Sequence, residues 1–230
     1  MTPKYRCQKT VKTLFATNAN ISTLLIVYFT PVWNPKMLWK IPVVWKKDWR
    51  EIFVMDGQPL NFALVDFRWW WFSNLVTNNL RWILAEYIVA TAVWADHTPR
   101  EERDAYDVIT PEGINIEVKS ASYIQSREQR TFSVPSFSIR PTQWRDDVVW
   151  RQWEKKRQAD VYVFCLLAHK DQATINPLDL SQRVFYIIPT QILNEQCKSQ
   201  KTLSLSRLQK MWFTPVQYPK IADTINNTTK

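Results

Sequence analysis

Seven consecutive residues, Val161-Tyr162-Val163-Phe164-Cys165-Leu166-Leu167, carry no charge and form the centre of an apolar run from Asp160 to Ala168. A run of that length, rich in β-branched and aromatic residues, marks a strand buried on both faces, inside a sheet rather than at its edge. The rest of the chain is read around it. Val184 to Ile188 is a further strand, closed by Pro189-Thr190, after which a helix begins over Gln191 to Gln196. Upstream, Ile114 to Ser120 alternates, with Ile114, Ile116 and Val118 on one face and Asn115, Glu117 and Lys119 on the other. Tyr106 to Thr110 is a short strand before it, and Pro111-Glu112-Gly113 between the two is a turn signal. From Phe72 to Ala95 the spacing is helical, placing Leu75, Asn79, Trp82, Ile83, Glu86, Ala90 and Val93 on one face. Thr142 to Arg157 is a second helical stretch of mixed charge, and Leu203 to Met211 a last short helix. The order helix, strand, strand, helix, strand, strand, helix specifies an α/β layer with a mixed central sheet.

The paired strands carry the chemistry. If residues 111–113 form the loop of a hairpin, Thr110 faces Ile114 and Asp107 faces Glu117. Side chains directly opposed on one sheet face have Cβ atoms about 5 Å apart. Two carboxylates so placed repel one another, and a divalent cation between them reverses that, because hard cations take carboxylate oxygens. Lys119 lies two residues on, on the same face, about 7 Å along the strand. Two carboxylates and a lysine on one face are the parts for metal-assisted phosphodiester hydrolysis. The same pattern also occurs as the solvated polar face of an edge strand. Glu86, on the apolar stripe of the first helix, is expected to be buried, which is costly unless it is paired or metal-bound. It belongs either to this site or to an ion pair with an arginine such as Arg81 or Arg140.

Composition narrows the function. The net charge of +9 and pI near 9.5 favour an anionic partner, nucleic acid before an acidic membrane surface. Two glycines, Gly57 and Gly113, exclude glycine-rich phosphate loops and dinucleotide fingerprints, so no small-molecule cofactor is expected. Two histidines, His97 and His169, disfavour histidine-based metal sites. Cys7, Cys165 and Cys197 fit neither a disulfide framework nor a zinc pattern and point to a reducing, cytoplasmic compartment. Ser120 to Ile139 is polar and irregular and contains Gln125 and Gln129. Arg140, Arg145, Arg151, Lys155, Lys156 and Arg157 are candidate phosphate contacts, or else a solvated helix face.

Residues 1–58 read as a basic and apolar N-terminal extension to a domain spanning 59–230. Lys4, Arg6, Lys9 and Lys12 precede the apolar run Ile21 to Phe29, which is well short of the ~20 residues of a membrane helix.

Three stretches carry a family resemblance: Asn79-Leu80-Arg81-Trp82-Ile83-Leu84-Ala85-Glu86-Tyr87-Ile88-Val89-Ala90, Ala105-Tyr106-Asp107 and Ile116-Glu117-Val118-Lys119-Ser120-Ala121-Ser122-Tyr123-Ile124-Gln125-Ser126. With the strands Ala159 to Phe164 and Phe185 to Thr190, they cover about residues 60 to 200. The chain resembles the PD-(D/E)xK nuclease superfamily, specifically its bacterial restriction-endonuclease-like members. Tyr106 stands where the family writes proline, and Trp82 where a small residue is usual. The resemblance implies a restriction-endonuclease-like α/β core with helices flanking the mixed sheet. It implies an endodeoxyribonuclease of restriction type that depends on Mg²⁺, with Mn²⁺ as a substitute. In it, Asp107 and Glu117 hold the metal and Lys119 orients water and neutralises the scissile phosphate. Glu86 supports the metal or its waters, and Gln125 matches a polar residue that follows the lysine. A homodimer is expected, since cutting both strands of DNA takes two sites. The alternative is a catalytically silent nucleic-acid-binding module on the same fold.

Overall fold

The computed structural model describes residues 48–95, 106–142, 155–211 and 213–228. In chain order its elements are β1 (Ile52–Met55), β2 (Gln58–Ala63), α1 (Leu64–Phe72), α2 (Asn78–Ala92), β3 (Val108–Ile109) and β4 (Asn115–Ser122). Then come β5 (Ser136–Ser138), β6 (Val161–Leu167), β7 (Arg183–Pro189), α3 (Thr190–Cys197), β8 (Thr202–Ser204), α4 (Leu205–Lys210) and α5 (Ile221–Thr228).

The centre is a four-stranded mixed sheet in the order β3-β4-β6-β7, antiparallel, parallel, antiparallel. All seven residues of β6 are buried, as the apolar run requires. Alternation along β4, β6 and β7 divides the interior into two cores. On one face Ile116, Val118, Val161, Val163, Cys165, Phe185 and Ile187 pack against Ala85, Ile88 and Val89 of α2 and Ile221 and Ile225 of α5. On the other, Ala121, Tyr162, Phe164, Leu166, Tyr186 and Ile188 meet Leu193 and Cys197 of α3, Leu208 of α4, and Phe137 and Leu203 of the small β5–β8 sheet. The result is the α/β fold with a mixed sheet flanked by helices. Each large apolar side chain buried this way stabilises the fold by about 1.5–3 kcal/mol.

Several boundaries differ from the sequence reading. The first long helix begins at Asn78, not Phe72. The chain breaks over residues 73–77, where the Asn74 side chain accepts from the Val76 backbone N–H and its carbonyl accepts from Thr77. Its buried face is also turned. Leu80, Arg81, Ala85, Glu86, Ile88 and Val89 are buried, whereas Asn79 and Trp82 are exposed. The buried face follows the packing of Ala85, Ile88 and Val89 on the sheet and carries Arg81, a charged residue that apolar spacing alone does not select. Thr142 and Lys156, the ends of the expected second helix, face each other in an antiparallel bridge with hydrogen bonds of 3.0 and 3.1 Å. Residues 143–154 of that stretch lie outside the described residues, as do residues 1–47 and 96–105. The expected division at 58/59 falls inside β2, just after the turn of Asp56 (φ 52°) and Gly57 (φ 77°) that joins β1 and β2 into a hairpin. Cys165 and Cys197 are buried free thiols, while Cys7 lies outside the described residues. Among the described residues no helix is long and apolar enough to cross a membrane.

Candidate active site

Asp107 immediately precedes β3, and Glu117 and Lys119 lie on β4. The pairs Val108 with Ile116 and Ile109 with Asn115 continue into Thr110 opposite Ile114, whose backbone N–H and carbonyl meet at 3.0 Å. This register is the one the three-residue turn implies, and it brings Asp107 to Glu117. The Asp107 backbone N–H donates to the Ile116 carbonyl at 3.0 Å, and its Oδ2 accepts from the Val118 N–H at 2.7 Å. The Asp107 carboxylate thus replaces a backbone carbonyl at the end of the β3–β4 ladder and is fixed against the strand that carries the other two groups. Lys119 Nζ donates to Glu117 Oε1 and lies 3.9 Å from Asp107 Oδ2. All three side chains are largely withdrawn from water, at 13% exposure for Asp107, 19% for Glu117 and 21% for Lys119.

The electrostatics follow from that burial. Desolvation first, and the Asp107 charge second, push the Glu117 carboxyl above the ordinary carboxylate range, against the pull of Lys119. The parallel pairing of β4 with β6 sets Tyr162 beside Glu117. Burial, and then the Glu117 charge, raise the Tyr162 hydroxyl far above its usual range, with Arg157 opposing. Tyr162 therefore stays protonated as an apolar wall with a hydroxyl at one edge of the acidic pair. Sequence spacing did not single it out. The signal was its place on the one strand that could lie next to β4.

The other expected residues fall elsewhere. Glu86 is buried, as expected, but α2 covers the opposite sheet face from Glu117 and Lys119. No group of three or more Asp, Glu, His or Cys that could hold a metal occurs among the described residues. Arg81 does not pair with Glu86. It donates to Val76 O, Asn78 Oδ1 and Gln125 Oε1 at 3.1, 2.7 and 3.3 Å. Gln125 completes that link by donating from Nε2 to Ser122 O at 3.0 Å, so it ties the end of β4 to the start of α2. Trp82 lies on the exposed side of α2 and does not fill the space over the sheet. Arg140, Lys155 and Lys156 are exposed, whereas Arg145 and Arg151 lie outside the described residues. Arg157 is buried. It donates to Ile139 O, Asn194 Oδ1, Lys198 O and Gln200 O at 2.7–3.2 Å, cross-linking three segments instead of facing solvent.

An open cleft of about 940 Å³ lies at the far end of the sheet, lined by Gly113, Arg157, Asp160, Pro189 and Asn194 among others. Neither Asp107, Glu117 nor Lys119 lines it.

Two carboxylates and one ammonium leave one negative charge in excess. Such a set offers a divalent cation two hard oxygen donors. Burial has left Glu117 short of positive charge, which is the condition such an ion relieves, so the donor set fits Mg²⁺ or Mn²⁺.

A sequence model of the bacteriophage T4 endonuclease IV family matches residues 73–207. The matched stretch runs from the turn before α2 into α4. It includes Asp107, Glu117 and Lys119 and all four strands of the central sheet. No curated protein matches the chain.

Proposed function

The chain belongs to the bacteriophage T4 endonuclease IV family, and from that premise we propose that it is a metal-dependent DNA endonuclease of the PD-(D/E)xK kind. Its active residues are then Asp107, Glu117 and Lys119. The observation that carries the reading is the single ammonium of Lys119 held against two partly buried carboxylates on one sheet face.

Asp107 and Glu117 would hold Mg²⁺, or Mn²⁺ in its place, as oxygen ligands. The bound ion supplies Lewis acidity at a phosphoryl oxygen and a water more acidic than bulk. Without it, the excess negative charge of the site repels a phosphodiester; with it, the site carries net positive charge. The fixed Asp107 carboxylate sets the position of the first ligand. Lys119 then has a second role: its ammonium, no longer needed to balance Glu117, turns towards the phosphate and stabilises the negative charge that develops there. The Tyr162 ring excludes water from the β6 side of Glu117. Arg140, Lys155 and Lys156, which are exposed, would be available to meet the DNA backbone, and the buried Arg157 would not. Cleavage of both strands in the manner of a restriction enzyme would use two copies of the chain.

The test is cleavage of supercoiled plasmid with Mg²⁺ or Mn²⁺, comparing the parent with Asp107→Ala and Lys119→Ala. Nicking or linearisation by the parent, lost in both variants and in EDTA, supports the reading. Cleavage that survives both substitutions removes this site from the reaction. Salt-sensitive DNA binding with no cleavage by the parent would instead make the chain a silent binding module.

A further inference from the structure

Just beyond Lys119 the chain leaves β4 and forms a loop, residues 123–135, that is held from within. Gln129 is its hub. Its Oε1 accepts from the Gln125 backbone N–H at 2.6 Å, and its Nε2 donates to Tyr123 O at 3.3 Å and to Ser133 Oγ at 2.9 Å. The Ser133 backbone N–H closes the loop onto Tyr123 O at 2.9 Å. These bonds do not cover the loop's aromatic residue; they present it. Phe132 is 54% exposed, in edge contact with the half-buried Tyr123 ring at 6.5 Å between centroids. Lys170, just past the end of β6, sets its ammonium 4.4 Å from the Tyr123 centroid and 6.0 Å from that of Phe132. Arg127 and Arg130 are exposed on the same loop. Glu128 is its carboxylate, and Asp171 beside Lys170 bonds to Thr174 and to the Ala173 N–H. None of the three cations is in an ion pair among the described residues.

An exposed ring fixed by internal hydrogen bonds contributes little to folding, and cations beside it add nothing to a core. Both suit a nucleic-acid strand, whose bases stack on aromatic faces while its phosphates meet Lys and Arg. We infer that Phe132, backed by Tyr123, is a stacking platform for a nucleobase of the strand being cut. Lys170 and Arg130 then meet the neighbouring phosphates. The inference rests on the endonuclease reading and adds a substrate contact to it. The placement agrees. Tyr123 packs against the same core as Tyr162 and Phe164, on the Glu117–Lys119 side of the sheet. Four residues from Lys119 to Tyr123 span about 13 Å, which is about four stacked nucleotides at ~3.4 Å each. The loop is tied by its own hydrogen bonds before binding, which lowers the ordering cost when a base docks.

The experiment is binding of a short fluorescent single-stranded oligonucleotide to the full chain in EDTA, followed by anisotropy, with Mg²⁺-dependent plasmid cleavage measured in parallel. Phe132→Ala is expected to weaken binding about ten-fold, the loss of one base–aromatic stack. Phe132→Trp is expected to bind like the parent. Lys170→Ala is expected to lower the salt dependence of binding by about one released counterion. Phe132 is exposed, so all three variants should melt with the parent. Unchanged binding by Phe132→Ala, beside a parent that binds and cleaves through Lys119, overturns the platform and leaves the endonuclease reading standing. Equal loss in Phe132→Ala and Phe132→Trp also overturns it, because a stack tolerates tryptophan. A parent that neither binds nor cleaves sinks both.

Discussion

Replacing Lys119 by Met keeps the unbranched stem and removes the charge. In the parent, that charge is hydrogen-bonded to Glu117 and 3.9 Å from Asp107, among side chains mostly shielded from water. Unit charges at about 4 Å in an effective dielectric of ~20 interact by ~4 kcal/mol before desolvation is counted. Removing one partner of a fully buried pair costs about 3–5 kcal/mol, and partial access of water lowers that here to about 2 kcal/mol. Glu117 limits the loss further, since its carboxyl is already held above the ordinary range and is raised further when the ammonium is gone. For a domain of this size, ~2 kcal/mol is a fall of about 4–8 °C in Tm. The assay is thermal melting in EDTA and in excess Mg²⁺. In EDTA Lys119→Met should melt below the parent. Mg²⁺ should raise the variant by more than the parent, because the ion takes over the missing positive charge. Cleavage should be absent in both conditions. An unchanged Tm in EDTA, or equal Mg²⁺ shifts in parent and variant, would refute the argument that Asp107 and Glu117 form a cation site balanced by Lys119.

Other outcomes follow from the same geometry. Asp107→Asn should abolish cleavage while changing stability by less than about 1 kcal/mol, since the amide oxygen can still accept from Val118; activity and melting curves check this together. A carboxyl whose pKa is raised on folding disfavours the folded state at neutral pH. That cost is absent below the ordinary value of 4.5 and grows as pH rises towards the folded value. Glu117→Gln should therefore gain stability relative to the parent at pH 7 and none at pH 4 in EDTA, and Mg²⁺ affinity of the parent should rise with pH across that window, as melting and calorimetric titration would read. Arg157→Met should cost about 1–3 kcal/mol by leaving the buried Ile139 carbonyl unpaired and leave the salt slope of DNA binding unchanged. Lys156→Ala should do the reverse, lowering that slope by about one with no loss of stability.

Much of the site could be read before the structure because a strand has a period of two. The alternation over Ile114 to Ser120 fixes which residues face the core, and the Pro-Glu-Gly turn fixes which residue lies opposite Glu117. The continuous apolar run of β6 likewise admits one interpretation. Where burial broke the usual pattern, the sequence misled. Arg81 and Arg157 are both buried with guanidinium groups serving backbone and amide oxygens, and charge patterning reads such residues as outward-facing. The Asp56-Gly57 pair is a strong two-residue hairpin signal, yet the hairpin it forms straddles the expected division between the N-terminal extension and the domain. The strands β5 and β8 are three residues each, and α5 is an eight-residue helix ending in Asn226-Asn227-Thr228. Elements that short are specified by what they pack against, not by their own residues.

Along β4, residues that fill the interior take turns with residues of the candidate site: Ile116 and Val118 beneath, Glu117 and Lys119 above. Evolution therefore finds no silent position there. A one-residue insertion or deletion within the strand would drive the acid and the lysine into the hydrocarbon interior and bring two aliphatic chains out to solvent, so fold and activity would be lost in one step. Length variation in descendants of this sequence should be confined to segments outside the strand.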